Sequence, residues 1–145
     1  MTESNNIYAY AREQIRETHA ERITGNASGV ALVVFTTPLN AAATNALQKS
    51  FAAIGFGADA CTFADLNGLG PEDVFDVVEG IDPVVLVAAD GHAATLCAQA
   101  VAQEFPLMKN ARLFGREARA FEDLNSMLGC EDDRQAVWRL LKTLA

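Results

Sequence analysis

The stretch Ile81 to Phe105, IDPVVLVAADGHAATLCAQAVAQEF, constrains the fold more than any other part of the sequence. Pro83 disfavours helix at Asp82, and Val84 to Ala89 is an unbroken apolar run that suits a strand covered on both faces. A strand of that kind belongs inside a parallel sheet. Asp90 ends it as a natural N-cap. Ala93, Leu96, Cys97, Ala100, Val101 and Phe105 then recur at helical spacing until Pro106 stops the helix. Ligands of open α/β sheets sit beyond the carboxyl ends of the strands, so Asp90-Gly91-His92 lies where a site is expected.

The remaining segments repeat this grammar. Ile7, Tyr8, Ala11, Ile15, His19 and Ala20 have helical spacing, so residues 1–24 are expected to form an amphipathic helix flanking a single domain that spans 1–145. His19 reads as exposed. After the loop Gly25 to Gly29, Val30–Phe35 is the first buried strand and Thr36-Thr37-Pro38-Leu39-Asn40 its terminal loop. Thr37 or Asn40 caps a helix whose stripe is Ala43, Leu47, Phe51 and Ile54. Cys61–Ala64 is a second strand, followed by the turn-rich loop Asp65 to Gly70. That loop lacks the third glycine and the lysine of a phosphate cradle. Pro71, Glu72 and Asp73 open a helix that packs Val74, Phe75, Val77 and Val78 inward and closes at Gly80. Ala111–Phe114 is the fourth strand, and Ala118–Phe121 is a weaker extended segment of unassigned pairing. Glu131-Asp132-Asp133 begins the last helix, with Val137, Trp138, Leu140, Leu141 and Leu144 on its apolar face. This order predicts a doubly wound, three-layer α/β/α domain with a mainly parallel sheet of four or five strands and right-handed crossovers.

Half of the residues are apolar, enough for a core without staples. Cys61, Cys97 and Cys130 have no metal or redox spacing and read as free, buried thiols, so neither a cofactor nor a metal is expected. The polar start Met1 to Asn6 does not resemble a signal peptide, and no apolar run reaches the ~18 residues of a membrane span. A cytoplasmic protein without membrane contact is the expectation. The net charge of −8 disfavours nucleic acid as a partner. Lys109, Arg112, Arg116 and Arg119 nevertheless cluster and are the candidate phosphate contacts. Ion pairing with Glu117 and Glu122 is the plainer explanation of that cluster.

Three stretches give the chain a resemblance to the uracil-DNA glycosylase superfamily, in particular its compact bacterial branch, from about Val30 onward. LQKSFAAIGF (Leu47–Phe56) is similar to the family helix ending in A-x-I-G-L. Asp82–Leu96 is similar to its R-P-x-V-I-V-A-L-G-x-x-A-A segment. LGCEDDRQAVWRLLKTL (Leu128–Leu144) is similar to its terminal L-x-x-x-P-E-x-K-x-x-x-W-x-x-L-K-x-L. The resemblance implies the fold. It also implies positions for the chemistry, and there this sequence departs from the family. Where the family has G-E-x-P-G, which positions the attacking water, this chain has Phe35-Thr36-Thr37-Pro38-Leu39. Where it has H-P-S, this chain has Asp123-Leu124-Asn125. Asp65 stands where the family reads the flipped base with Asn, and the iron–sulfur cysteines have no counterpart.

The expectation that follows is a glycosylase-like domain that has lost excision and serves as a binding or interaction module for a protein partner or small ligand. Thr36, Thr37, Asn40, Asn67 and Asn125 are its candidate binding residues. The alternative is a divergent hydrolase of a nucleobase or nucleoside, with Asp65, Asp90, Asp123 and His92 as catalytic candidates at the strand ends. Paired carboxylates can divide acid and base roles when burial separates their pKa values. Retained DNA glycosylase activity would require salt-sensitive binding through the four cations. Against the hydrolase reading, Asp90 is also explained as an N-cap and His92 as an exposed first-turn residue.

Overall fold

The computed structural model describes residues 20–26 and 29–145, and most of the expected flanking helix therefore lies outside the described residues. At its end the expectation is corrected: Ala20–Arg22 is a 3-10 turn and Ile23–Gly25 is a strand, β1. The elements that follow are β2 (Ala31–Phe35), α1 (Ala41–Ala53), β3 (Cys61–Asp65), α2 (Pro71–Ile81), β4 (Val85–Ala88) and α3 (Gly91–Val101). The chain closes with β5 (Ala111–Leu113), β6 (Arg116–Ala120), α4 (Leu124–Met127) and α5 (Glu131–Lys142).

Among the described residues the sheet has six strands in the order β1-β3-β2-β4-β6-β5, not four or five. The inner strands β3, β2, β4 and β6 pair in parallel, and β1 and β5 add an antiparallel edge on each side. Sequence reading takes Ala111–Phe114 for a principal strand and Ala118–Phe121 for a minor one. The structure reverses this. Arg116–Ala120 lies beside β4 as an inner strand, and Ala111–Leu113 is the edge that folds back on it across the Phe114-Gly115 turn. Hydrophobic pattern alone misleads here because Arg116, Glu117 and Arg119 occupy a covered strand.

Side-chain alternation divides the core between the two faces of the sheet. Leu32, Val34, Leu86, Ala88, Ala118 and Ala120 meet Val74, Val77 and Val78 of α2 and Ala93, Ala94 and Cys97 of α3. On the reverse face Val33, Phe63, Val85, Val87 and Phe121 meet Leu47 and Phe51 of α1, Leu124 of α4 and Val137 and Leu141 of α5. A three-layer α/β/α architecture results, with β2 and β4 apolar on both faces as buried parallel strands favour and β6 the charged exception. Phe75, expected inward, is instead 43% exposed and leans on Phe114 at 6.0 Å.

Helix ends differ from expectation in two places. The third helix stops at Val101 rather than Phe105. Ala102 takes a left-handed φ of 52°, and Gln103 N–H reaches back to the carbonyl of Ala98, so the chain reverses and buries Phe105. The second helix runs past Gly80 to Ile81, and Asp82, not an extended residue, ends it with φ 54°. Aspartate tolerates this region better than most residues, and the carboxylate is held by Arg116 at 2.6 Å.

Candidate functional site

Strand order reverses at β2: the chain passes from β2 to β3 on one side, then from β3 across to β4 on the other. The crevice between the carboxyl ends of β2 and β4 is therefore the topological switch point at which α/β sheets bind ligands. Thr36 and Thr37 stand at the end of β2, and Asp90 stands between β4 and α3. In this molecule the crevice is filled by the protein itself. Asp90 Oδ2 accepts from the backbone amides of Thr36 (2.8 Å) and Thr37 (3.1 Å), and Oδ1 accepts from the Thr36 hydroxyl (2.8 Å) and the Ala93 amide (2.8 Å).

This arrangement fixes the electrostatics of Asp90. Burial by itself raises its pKa. The amides of Thr36, Ala93 and Thr37 and the Thr36 hydroxyl outweigh burial and hold the carboxyl below its ordinary value. An ionised carboxylate offers about four lone-pair sites, and four donors occupy them. The side chain is an N-cap for α3 and a clasp on the β2 loop at once, and it has no acceptor left for a proton or a substrate hydroxyl.

The adjoining loops are fastened in similar ways. The Leu124 amide donates to Ala89 O and the Gly91 amide to Glu122 O, both at 2.9 Å, which joins the end of β4 to the end of β6. Asp123 caps α4, accepting from the Ser126 amide (3.3 Å) and hydroxyl (2.8 Å). Asn125 holds the β2 loop from the opposite side: its Nδ2 donates to Pro38 O (3.0 Å) and its Oδ1 accepts from the Asn40 amide (3.0 Å). Asn40 in turn caps α1 through Ala43 N at 2.8 Å.

Asp65 ends β3, on the far side of β2 from β4, so it stands about 10 Å from the Asp90 segment at ~4.8 Å per strand spacing. Its carboxylate accepts from the Asn67 amide at 2.8 Å, an Asx turn, while Arg22 Nη1 donates to the carbonyls of Asp65 (3.3 Å) and Asn67 (2.7 Å). His92 is exposed on the first turn of α3. The structure thus gathers Thr36, Thr37, Asp90, Asp123, Asn40 and Asn125 around one crevice, with Asp65 and Asn67 to one side. Each of these aspartates is bonded to a backbone amide, so no acid–base pair across a cleft follows from the arrangement.

The four cations do not share one face of the sheet. Positions 116 and 119 are an odd number apart on one strand, so their side chains leave opposite faces of the sheet. Arg116 bonds to Glu79 (2.7 Å), Asp82 (2.6 Å), Pro83 O (2.7 Å) and Phe114 O (2.9 Å). Arg119, 1% exposed, bonds to Thr143 Oγ1 (2.8 Å), Ala118 O (2.8 Å), Ala111 O (3.2 Å) and Glu117 (3.2 Å). Arg112 pairs with Glu117 at 2.8 Å, and Lys109 is exposed. The Glu117 pairing matches the plainer expectation. Glu79 and Asp82 take the part expected of Glu122, and no sequence signal marks them, because α2 and β6 are more than 30 residues apart.

Cys61 and Cys97 are buried and their thiols are pushed up to about 12, by burial first and then by Asp59 and Asp90 respectively. Cys130 departs from expectation in being exposed, just before α5. Among the described residues no group of three or more His, Cys, Asp or Glu could hold a metal ion, and no helix is long and apolar enough to cross a membrane. A groove of about 620 Å³ runs along α3 from Gly91 to Ala102 and is walled by Phe105 and Leu107 rather than by the candidate polar residues. Compared with models of known protein families and with curated proteins, the chain matches none.

Proposed function

We propose that the chain is a uracil-DNA glycosylase-like α/β domain that does not excise uracil and works as a binding or interaction module. The family reading rests on the three framework stretches of the sequence. Leu47–Phe56 covers the second half of α1 and its exit, Asp82–Leu96 covers β4 and the start of α3, and Leu128–Leu144 covers α5. These are elements that build the core.

The observation that carries the absence of excision is the occupancy of the switch point. Base excision needs a group to orient water and donors to receive the charge of the departing base. At the end of β2 the available donors, the amides of Thr36 and Thr37, are spent on Asp90. A fixed negative charge there opposes a departing anionic base. Arg112, Arg116 and Arg119 are likewise engaged with carboxylates, leaving little to attract phosphate. Against the hydrolase reading, Asp90 has its acceptor sites filled, and Asp65, which accepts from the Asn67 amide, stands on the far side of β2 from it.

A single-turnover excision assay on single- and double-stranded uracil oligonucleotides at low salt tests this reading. The expected result is no cleavage above the uncatalysed background. Cleavage by the parent chain that is lost in Asp65→Ala or Asp123→Ala would overturn it and return those carboxylates to chemistry.

A further inference from the structure

On the reverse face of the sheet, α1, α4 and α5 enclose a hollow of about 170 Å³. Its walls are apolar, with Leu47, Leu124, Leu128 and Trp138 prominent, and its polar groups are Ser50 and Arg134. We propose that this hollow is a binding site for a small carboxylic acid whose apolar body is about the size of one six-membered ring. The inference is independent of whether the domain descends from glycosylases.

Volume, lining and charge each bear on the ligand. An engineered cavity of about 150 Å³ with aliphatic and aromatic walls holds benzene, so a hollow of this size accepts one ring or a short branched chain and little more. Small-molecule sites pair such apolar walls with a few polar groups that fix orientation. Here those groups are a hydroxyl and a guanidinium, and the guanidinium is the one charged group of the lining. Arg134 spends one of its five N–H donors on Glu131, at 2.8 Å. Both partners of that pair are largely exposed, at 54% and 73%, and exposed pairs of this kind are weak and screened by salt. The arginine therefore has donors for a ligand carboxylate, which suits its planar fork. Asp132 and Asp133, on the same turn, are exposed and are not part of the lining.

Trp138 is the single tryptophan of the chain and forms part of the wall, with Lys142 Nζ 5.6 Å from its ring centre, so its fluorescence responds to changes at the hollow. The test titrates the full-length protein at low ionic strength with phenylacetate, phenylacetamide and benzylamine, which share a ring and differ in charge. The expected result is saturable quenching with phenylacetate at least tenfold tighter than with the other two, an advantage that Arg134→Gln removes while amide shifts show the protein still folded. Ala46→Phe, which fills the rim, should abolish binding of all three. Equal affinity for the three rings, or a phenylacetate preference that survives Arg134→Gln, would overturn the proposal. So would the absence of any saturable change.

Discussion

At the carboxyl end of the sheet Asp90 gives its carboxylate to four protein donors. At the amino end Arg116 gives its guanidinium to Glu79, Asp82 and the carbonyls of Pro83 and Phe114. Both groups attract notice in the sequence as possible chemistry, and both turn out to fasten loops. The difference between them is what they leave over. The carboxylate is shielded and its acceptor sites are filled by the protein. The arginine faces two carboxylates that are themselves about half exposed, so the amino end is an ion-pair network at the surface.

That contrast can be broken by substitution, and Asp90→Ala should have the largest effect. It removes a helix cap and leaves three amides at a shielded position without partners, for a loss of about 3 kcal/mol from cap and desolvation costs together. Chemical denaturation would measure it, and a loss no larger than that of Arg116→Ala would erase the distinction between the ends. The pH dependence has a definite sign. The folded pKa of Asp90 is depressed, so its stabilisation is complete above the unfolded value of about 3.9 and is lost as pH falls through the folded value. The acid limb of a stability profile should accordingly flatten in Asp90→Ala.

Arg119→Met comes next, at about 2 kcal/mol, because the carbonyls of Ala111 and Ala118 and the hydroxyl of Thr143 lose a buried donor while the methionine keeps most of the packing volume. Thermal unfolding would check it, and a neutral outcome would mean that water replaces the guanidinium. Asp65→Ala and Asp123→Ala should cost least, about 1 kcal/mol or less each, since one closes an Asx turn and the other caps a four-residue helix in the open. A larger effect of Asp123→Ala than of Asp90→Ala would move the centre of the crevice to the α4 side.

Much of the inner sheet is legible in the sequence. The apolar runs around Ala31–Phe35, Cys61–Asp65 and Val85–Ala88 fall on inner strands, and Asn40 and Asp90 cap the helices they precede. These features are local: a strand covered on both faces has no polar alternation to keep, and a cap needs only an oxygen three residues before an open amide. The candidate residues around the crevice are legible as a set because strand ends are legible. Their roles are not, since Asp90 meets Thr36 across 54 residues and Asn125 meets Pro38 across 87.

Local pattern is enough for an α/β chain with apolar runs at β2 and β4, alternating helices and a strand-end turn at Asp90. Long-range contacts are what make REARA an inner strand, set ITG at the far edge and bring the Asp90 carboxylate onto the β2 loop. For the first of these the reason is electrostatic. A charged side chain is acceptable on a covered strand only where partners from distant elements meet it. Glu79, Asp82 and Thr143 do so here, and hydrogen bonds of that span have no signature in local pattern.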